Sequence, residues 1–293
     1  MKIMKKKIFI IGVGPMGKSH AKAFLNKKDF ELHLYDKLKI NNGLKVKKKL
    51  PKNMKIDYLI LSTGSIERFK VSNFLINNNK IKMILFEKFV FHKIDEFIYI
   101  SKKLLKNKIK SYVNIWGRRI KLKIFGKKIY KKNIKITVTV KEGSLLTNLI
   151  HFLNFSNELV DEYFKFNKKN INLRKIMSSH NFYDEVKGSV KLETLNKNKL
   201  IIKSGKNVSS FKISIKSAQD NFLILILNAK IFVYKNSILY KKFEFPYAFK
   251  TSDKDYKSLM NKKDKIYVSY AEAYKLSSEI INNISKPKNL VIR

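Results

Sequence analysis

The sequence contains no cysteine, which excludes disulfides and every cysteine-ligated metal site. That absence fits a reducing compartment. No apolar run is long enough to cross a bilayer. The opening MKIMKKKIFIIGVG pairs a basic start with an apolar run, as a signal peptide does. The run is short, however, no small-residue cleavage site follows it, and it ends in glycines and Lys18. A soluble cytoplasmic protein without a membrane partner is expected. No H-x-x-x-H and no carboxylate–histidine cluster occurs, so no metal site is expected either. Ser62, Ser65 and Ser144 lack a G-x-S-x-G setting, which argues against a serine hydrolase.

Acidic residues are few. Asp+Glu number 22 against 64 Lys+Arg, a net charge of +42. Such a chain attracts nucleic acid and anionic membranes non-specifically. Arginine is scarce too, at Arg68, Arg118, Arg119, Arg174 and Arg293. Lysine is instead spread along the whole length with abundant Asn and Ile, the trio that AT-rich codons supply. Skewed base composition explains the charge more simply than a dedicated surface does, and no specific nucleic-acid partner is expected.

What is present suffices for a buried core: 44% hydrophobic and 12% aromatic residues in 293, enough for one large domain or two ordinary ones. The first third alternates strand-like and helix-like segments. KKIFIIG, FELHLYD, IDYLILSTG, KMILFEK and KSYVNI read as strands. Met16 to Asn26, ERFKVSNFLINNN and IDEFIYISKKLLKN read as helices, the second with Phe69, Phe74 and Leu75 on one side. This rhythm predicts βαβ units and a parallel sheet covered on both faces. Near residues 115–120 the pattern changes. A basic helical stretch reaches about Tyr130, IKITVTV alternates, and GSLLTNLIHFLNFSNEL has a helical stripe of Leu145, Leu149, Phe152 and Leu153. From Val186 to Phe245 short strands and polar turns predict an antiparallel sheet. The expected division is a Rossmann dinucleotide-binding domain over 1–117 and an α+β domain over 118–293. A last helix, about 269–285, returns toward the first domain.

Gly12-Val13-Gly14-Pro15-Met16-Gly17 follows the first strand directly and opens a helix. Glycine there lets backbone approach a pyrophosphate, and the helix start offers free N–H groups. About twenty residues on, the second strand ends at Asp36, placed to accept ribose hydroxyls. Asp36 repels a 2′-phosphate and so favours NAD, while Lys37 and Lys39 could attract one, which leaves NADP open.

Further marks follow in order: Ser62-Thr63-Gly64, Glu87-Lys88, VNIWGRR at 113–119 and NLIH at 148–151. Together with the glycine turn they resemble the Gfo/Idh/MocA family, the glucose-fructose oxidoreductase and inositol dehydrogenase relatives, over nearly the whole chain. The resemblance implies a nicotinamide-dependent oxidoreductase acting on a sugar or cyclitol carbon. It implies a cofactor held by Gly12, Gly14, Pro15, Met16, Gly17, Asp36, Lys37, Ser62, Thr63, Gly64, Glu87 and Lys88. Lys88 matches the lysine that bonds the reacting oxygen, and a desolvated lysine beside the ring can pass a proton. Glu87 is a potential partner for it. His151 matches a proton donor or acceptor, with Asn148 beside it. Arg118 and Arg119 match a pair that binds a carboxylate or phosphate, or ties the domains together.

Two departures stand out. Phe89 replaces the usual proline after E-K, and Thr147 replaces an aspartate four residues before the histidine. Both features, with TNLIHFLN and EKFVF, resemble a sub-branch found with surface-polysaccharide genes, which implies a nucleotide-activated sugar substrate. Thr147 also keeps open a dinucleotide-binding protein without turnover. The family's exposed sheet face often joins subunits, so a homo-oligomer is expected.

Overall fold

A computed structural model describes residues 5–38, 44–177, 184–205, 208, 211–261, 266–285 and 290. By its internal contacts the chain divides into two units: 1–114 with 246–274, and 115–245 with 275–293.

The first unit opens with β1 (Lys6–Ile11), α1 (Pro15–Phe24), β2 (Phe30–Tyr35) and a short β3 (Val46–Lys47). Then come β4 (Lys55–Ile56), β5 (Tyr58–Leu61), α2 (Ser65–Asn78), β6 (Lys80–Ile81), β7 (Met83–Phe86), α3 (Ile94–Lys106) and β8 (Lys110–Val113). The strands β8-β7-β5-β1-β2-β3 lie side by side and are all parallel. Their apolar runs are continuous because both faces are covered: Ile8 to Ile11, Tyr58 to Leu61 and Met83 to Phe86 are all buried. The chain winds outward from β1 to β3, then returns to β5 on the other side of β1. The strand order therefore reverses beside β1, the point at which open α/β sheets place ligands.

The second unit contains α4 (Gly117–Phe125), β9 (Lys135–Lys141) and α5 (Leu145–Val160). Its strands continue with β10 (Lys165–Ile176), β11 (Glu185–Glu193), β12 (Lys199–Gly205), β13 (Phe211–Lys216), β14 (Asn221–Leu227), β15 (Lys230–Lys235) and β16 (Ile238–Glu244). They form one sheet in the order β10-β11-β12-β9-β13-β14-β15-β16. Every pair is antiparallel except β9–β12, so the sheet is mostly antiparallel, as expected. Alternation sets its two faces. Val190, Ile202, Val138, Ile213, Ile224 and Val233 share the buried face, and α5 packs on this sheet. The other face carries half-buried Ile201, Leu223, Leu225, Phe232 and Tyr234.

The segment after Phe245 rejoins the first unit earlier than the sequence pattern indicated. It forms α6 (Ala248–Met260), which packs on α1, and β17 (Val268–Ser269), which pairs antiparallel with β8. Tyr256, Leu259 and Tyr267 enter the same core as Phe24, Phe30 and Tyr58. This burial explains why residues 246–274 go with the first unit and not with the 118–293 domain expected from sequence. The division passes through α7 (Tyr270–Ile280), which ends in a π-helical turn, Ile281–Ser285. Lys39 and Arg293 lie outside the described residues.

Candidate functional site

The parallel sheet brings the first unit's predicted residues to one edge. The turns after β1, β5 and β7 follow adjacent strands that run the same way, so 12–17, 62–64 and 87–88 meet there. Asp36 and Lys37 follow β2, on the other side of β1.

The glycines of this edge are not equivalent. Gly12 has φ +88°, and a side chain there would come within 2.6 Å of the Thr63 nitrogen. A Cβ on Gly17 would come within 1.8 Å of the Gly12 carbonyl oxygen. Both are required by the protein's own packing. Gly14 and Gly64 are different. Both are exposed, both have negative φ, and a Cβ on either would meet nothing within 4 Å. Gly14 precedes α1, whose first residue is Pro15, and Met16 is 40% exposed, so the helix start opens to solvent.

Side chains lock the turns together. Ser62 Oγ donates to the Gly12 carbonyl at 2.7 Å. Asp36 Oδ2 accepts the Val13 N–H at 2.6 Å, and Oδ1 accepts the Leu38 N–H at 2.9 Å. Each carboxylate oxygen keeps a lone pair for a ribose hydroxyl. Lys37 forms an ion pair with Glu67, a residue that sequence reasoning missed.

Lys88 is half-buried just past β7, and the peptide joining it to Phe89 is cis. The sequence offered Lys88 as partner for Glu87, but the structure supplies others. Glu87 Oε1 bonds His20 Nε2 and Asn114 Nδ2, both at 2.7 Å. His20 Nδ1 in turn meets Ser252 Oγ of α6 at 2.7 Å. Glu87 is therefore an internal anchor and not an open cofactor contact. Burial pushes its pKa up, but the His20 bond and charge, the Asn114 bond and the Arg68 charge together outweigh it and hold it below the usual value. Arg68, on α2 and only 3% exposed, donates to the backbone carbonyls of Thr63, Glu87 and Phe89. One guanidinium thus fastens the turn after β5 to the backbone on both sides of Lys88. Sequence reasoning missed His20 and Arg68; the position of His20 on the fingerprint helix was the one available signal.

In the second unit, Arg118, Arg119, Asn148 and His151 lie on α4 and α5. These helices pack tightly because Gly117 has no side chain: a Cβ there would lie 2.1 Å from the His151 carbonyl oxygen. His151 is 3% exposed and stacks on Trp116 with ring centroids 4.5 Å apart. Its Nδ1 accepts the Trp116 N–H at 3.3 Å, which fixes the neutral tautomer with hydrogen on Nε2. Arg118 departs from its expected role. It is 9% exposed and holds Glu158 through Nε and Nη2. It thus ties α4 to α5 and is not offered to a substrate. Arg119 is half-buried. Asn148 Nδ2 donates to the Ser144 carbonyl at 2.9 Å, and Thr147 Oγ1 does so at 3.0 Å.

Among the described residues no group of His and acids could hold a metal, and no helix is long and apolar enough to cross a membrane. No protein-family model matches the chain, and no curated protein matches it. Solved structures do. A dehydrogenase from Clostridium difficile superposes with TM-score 0.70 at 12% identity, over 97% of this chain and 100% of that one. The UDP-N-acetylglucosamine 3-dehydrogenase of Acidithiobacillus ferrooxidans gives TM-score 0.65 at 11% identity, over 96% and 97%. A variant of a 3-ketoreductase from Actinomadura kijaniata, solved with TDP-benzene and NADP, gives 0.68 at 10%, over 97% and 98%. At these identities the likeness shows the fold alone, and that fold is the expected one: a parallel-sheet unit followed by a unit with a mostly antiparallel sheet.

Proposed function

We propose that this chain is an NAD-dependent oxidoreductase acting on a CH–OH group of a sugar, with a nucleotide-activated sugar of surface-polysaccharide synthesis as substrate. The observation that carries the reading is the pair Gly14 and Gly64. Neither has a conformational or packing need for glycine. Missing side chains at two neighbouring strand ends make room for a ligand that presses on the backbone, beside a helix start suited to an anion. The solved relatives support the substrate class, since one acts on UDP-N-acetylglucosamine and another was solved with a TDP compound and NADP.

The residues fit a dinucleotide. The turn Gly12 to Gly17 and the start of α1 hold the pyrophosphate, Asp36 the ribose hydroxyls, and Ser62 to Gly64 the nicotinamide half. The bound nicotinamide supplies the hydride acceptor or donor. Lys88 donates a hydrogen bond to the reacting oxygen, stabilises negative charge as it develops, and exchanges the proton. Arg68 and Glu87 keep the Lys88 turn in place. In the second unit, His151 offers its Nε2–H as a hydrogen-bond donor to the substrate, since Nδ1 is engaged by Trp116. Arg119 and Asn148 bind substrate. The two units serve as dinucleotide-binding and substrate domains. The substrate unit also joins copies of the chain through the outer face of its sheet. A reducing cytoplasm suits a chain without cysteine.

Two steps test this. NADH should bind, read by its fluorescence, and a panel of UDP-, GDP- and TDP-sugars should reveal turnover. With a substrate found, Lys88→Met should slow single-turnover hydride transfer about a hundredfold or more, while NADH affinity changes little. Undiminished transfer would remove Lys88 from the chemistry. Thr147, bonded to its own helix where the resemblance expects a carboxylate, favours a second reading: a protein that binds the dinucleotide without turnover. Tight NADH binding with every sugar inert would select it.

A further inference from the structure

Strands β2 and β5 both pair with β1, one on each side. The turns that follow them stand roughly 10 Å apart, two strand spacings, with the glycine turn between. One ion pair crosses that span. Lys37, just past β2, meets Glu67 in the first turn of α2. Their side chains are 67% and 49% exposed, so the bridge runs over the open edge of the sheet and not through its core. Beneath it, Asp36 holds the Val13 N–H of the glycine turn. Two carboxylates, Asp36 and Glu67, therefore flank the place assigned to the adenosine ribose, and the lysine beside that place is already engaged.

A 2′-phosphate brings close to two negative charges at neutral pH. To settle here it must take Lys37 from Glu67 and then face both acids. A ribose diol meets no such opposition and gains the Asp36 acceptor. We propose that Glu67, acting on Lys37, is a specificity-determining residue that makes this site take NAD and refuse NADP. The inference rests on the dinucleotide reading of the glycine turn.

The test is a titration of NADH and NADPH, at low and at raised salt, into the wild type, Glu67→Gln, and Glu67→Gln combined with Lys37→Met. Glu67→Gln should raise NADPH affinity relative to NADH by about tenfold. Adding Lys37→Met should abolish most of that gain. The gain should shrink with salt, since exposed charges are screened. NADH binding with an unchanged ratio in Glu67→Gln would overturn this inference and leave the dinucleotide site standing. A gain that survives Lys37→Met would show that the glutamate does not act through the lysine, and would overturn it too. Should none of the folded proteins bind either nucleotide, the dinucleotide reading falls, and this inference with it.

Discussion

Gly14 and Gly17 belong to one motif and serve different ends, which makes them separable by experiment. Gly17→Ala drives a methyl group against the Gly12 carbonyl, so β1 and α1 must move apart. It should cost about 3 kcal/mol, read as a lower Tm. Gly14→Ala meets empty space at an ordinary φ of −66° and should leave Tm within about 2 °C. It should nevertheless weaken NADH severely, because in the proposed site the new methyl would meet the ligand. Gly14→Ala with full NADH affinity would contradict the site. Glu87 gives a pH prediction. Its folded pKa lies below the ordinary 4.5, so its stabilisation is fully present above pH 4.5 and is lost as pH falls through the folded value. Glu87→Gln should cost about 2 kcal/mol at neutral pH, and its Tm should converge on that of the wild type as the medium is acidified. Parallel Tm curves would refute this. The glycine spacing, Asp36 and Lys88 were legible in the sequence because each follows a strand end. The anchor was not, since it joins His20, Glu87, Asn114 and Ser252, residues that only the folded sheet brings together.

Whole elements were legible where burial is continuous and illegible where it is thin. The runs of β1, β5 and β7 announce themselves as strands. In β10 only Leu173 is buried among twelve residues rich in lysine, and no alternation marks it as a strand. Helix α2 shows a subtler failure. Its pattern offered Phe69, Phe74 and Leu75 as the inner face, but the buried residues are Ser65, Arg68, Ser72, Leu75 and Ile76. Hydrophobicity cannot foresee an arginine turned inward onto carbonyl oxygens. Helix α6 went unnoticed because little more than Tyr256 and Leu259 reach the core from a polar segment. Tyr256 shows what holds it. Its ring lies 5.1 Å from Tyr58 and 5.7 Å from Phe30, while its hydroxyl is buried with no protein partner. Burial, reinforced by the charge of Asp57, pushes its pKa up to about 12. Tyr256→Ala should therefore cost about 3 kcal/mol, whereas Tyr256→Phe, which removes only the unsatisfied hydroxyl, should be neutral or stabilising. Thermal unfolding of both variants decides it. A large loss in Tyr256→Phe would mean the hydroxyl has a partner after all.

At the scale of the molecule, the +42 charge and the outer sheet face pull in opposite directions, and salt separates them. Leu225 pairs across strands with Phe232, flanked by Lys212 and Lys242 on the same face, and Leu223 pairs with Tyr234. Two copies meeting there gain apolar burial, which salt does not weaken. They also bring two highly positive chains together, a repulsion that salt screens within a Debye length of about 10 Å at 0.1 M. Self-association through this face should thus strengthen between about 50 mM and about 500 mM salt. Binding to duplex DNA, driven by charge alone, should fall steeply over the same range and ignore sequence. Sedimentation velocity across the salt series, with and without DNA, measures both. Leu225→Lys should reduce self-association at every salt concentration and leave NADH affinity unchanged. Assemblies that dissociate as salt rises would mean that ion pairs hold the subunits and that the apolar face is not the interface. DNA binding that persists at physiological salt would mean the lysines form a dedicated surface, contrary to the reading of charge as a product of base composition.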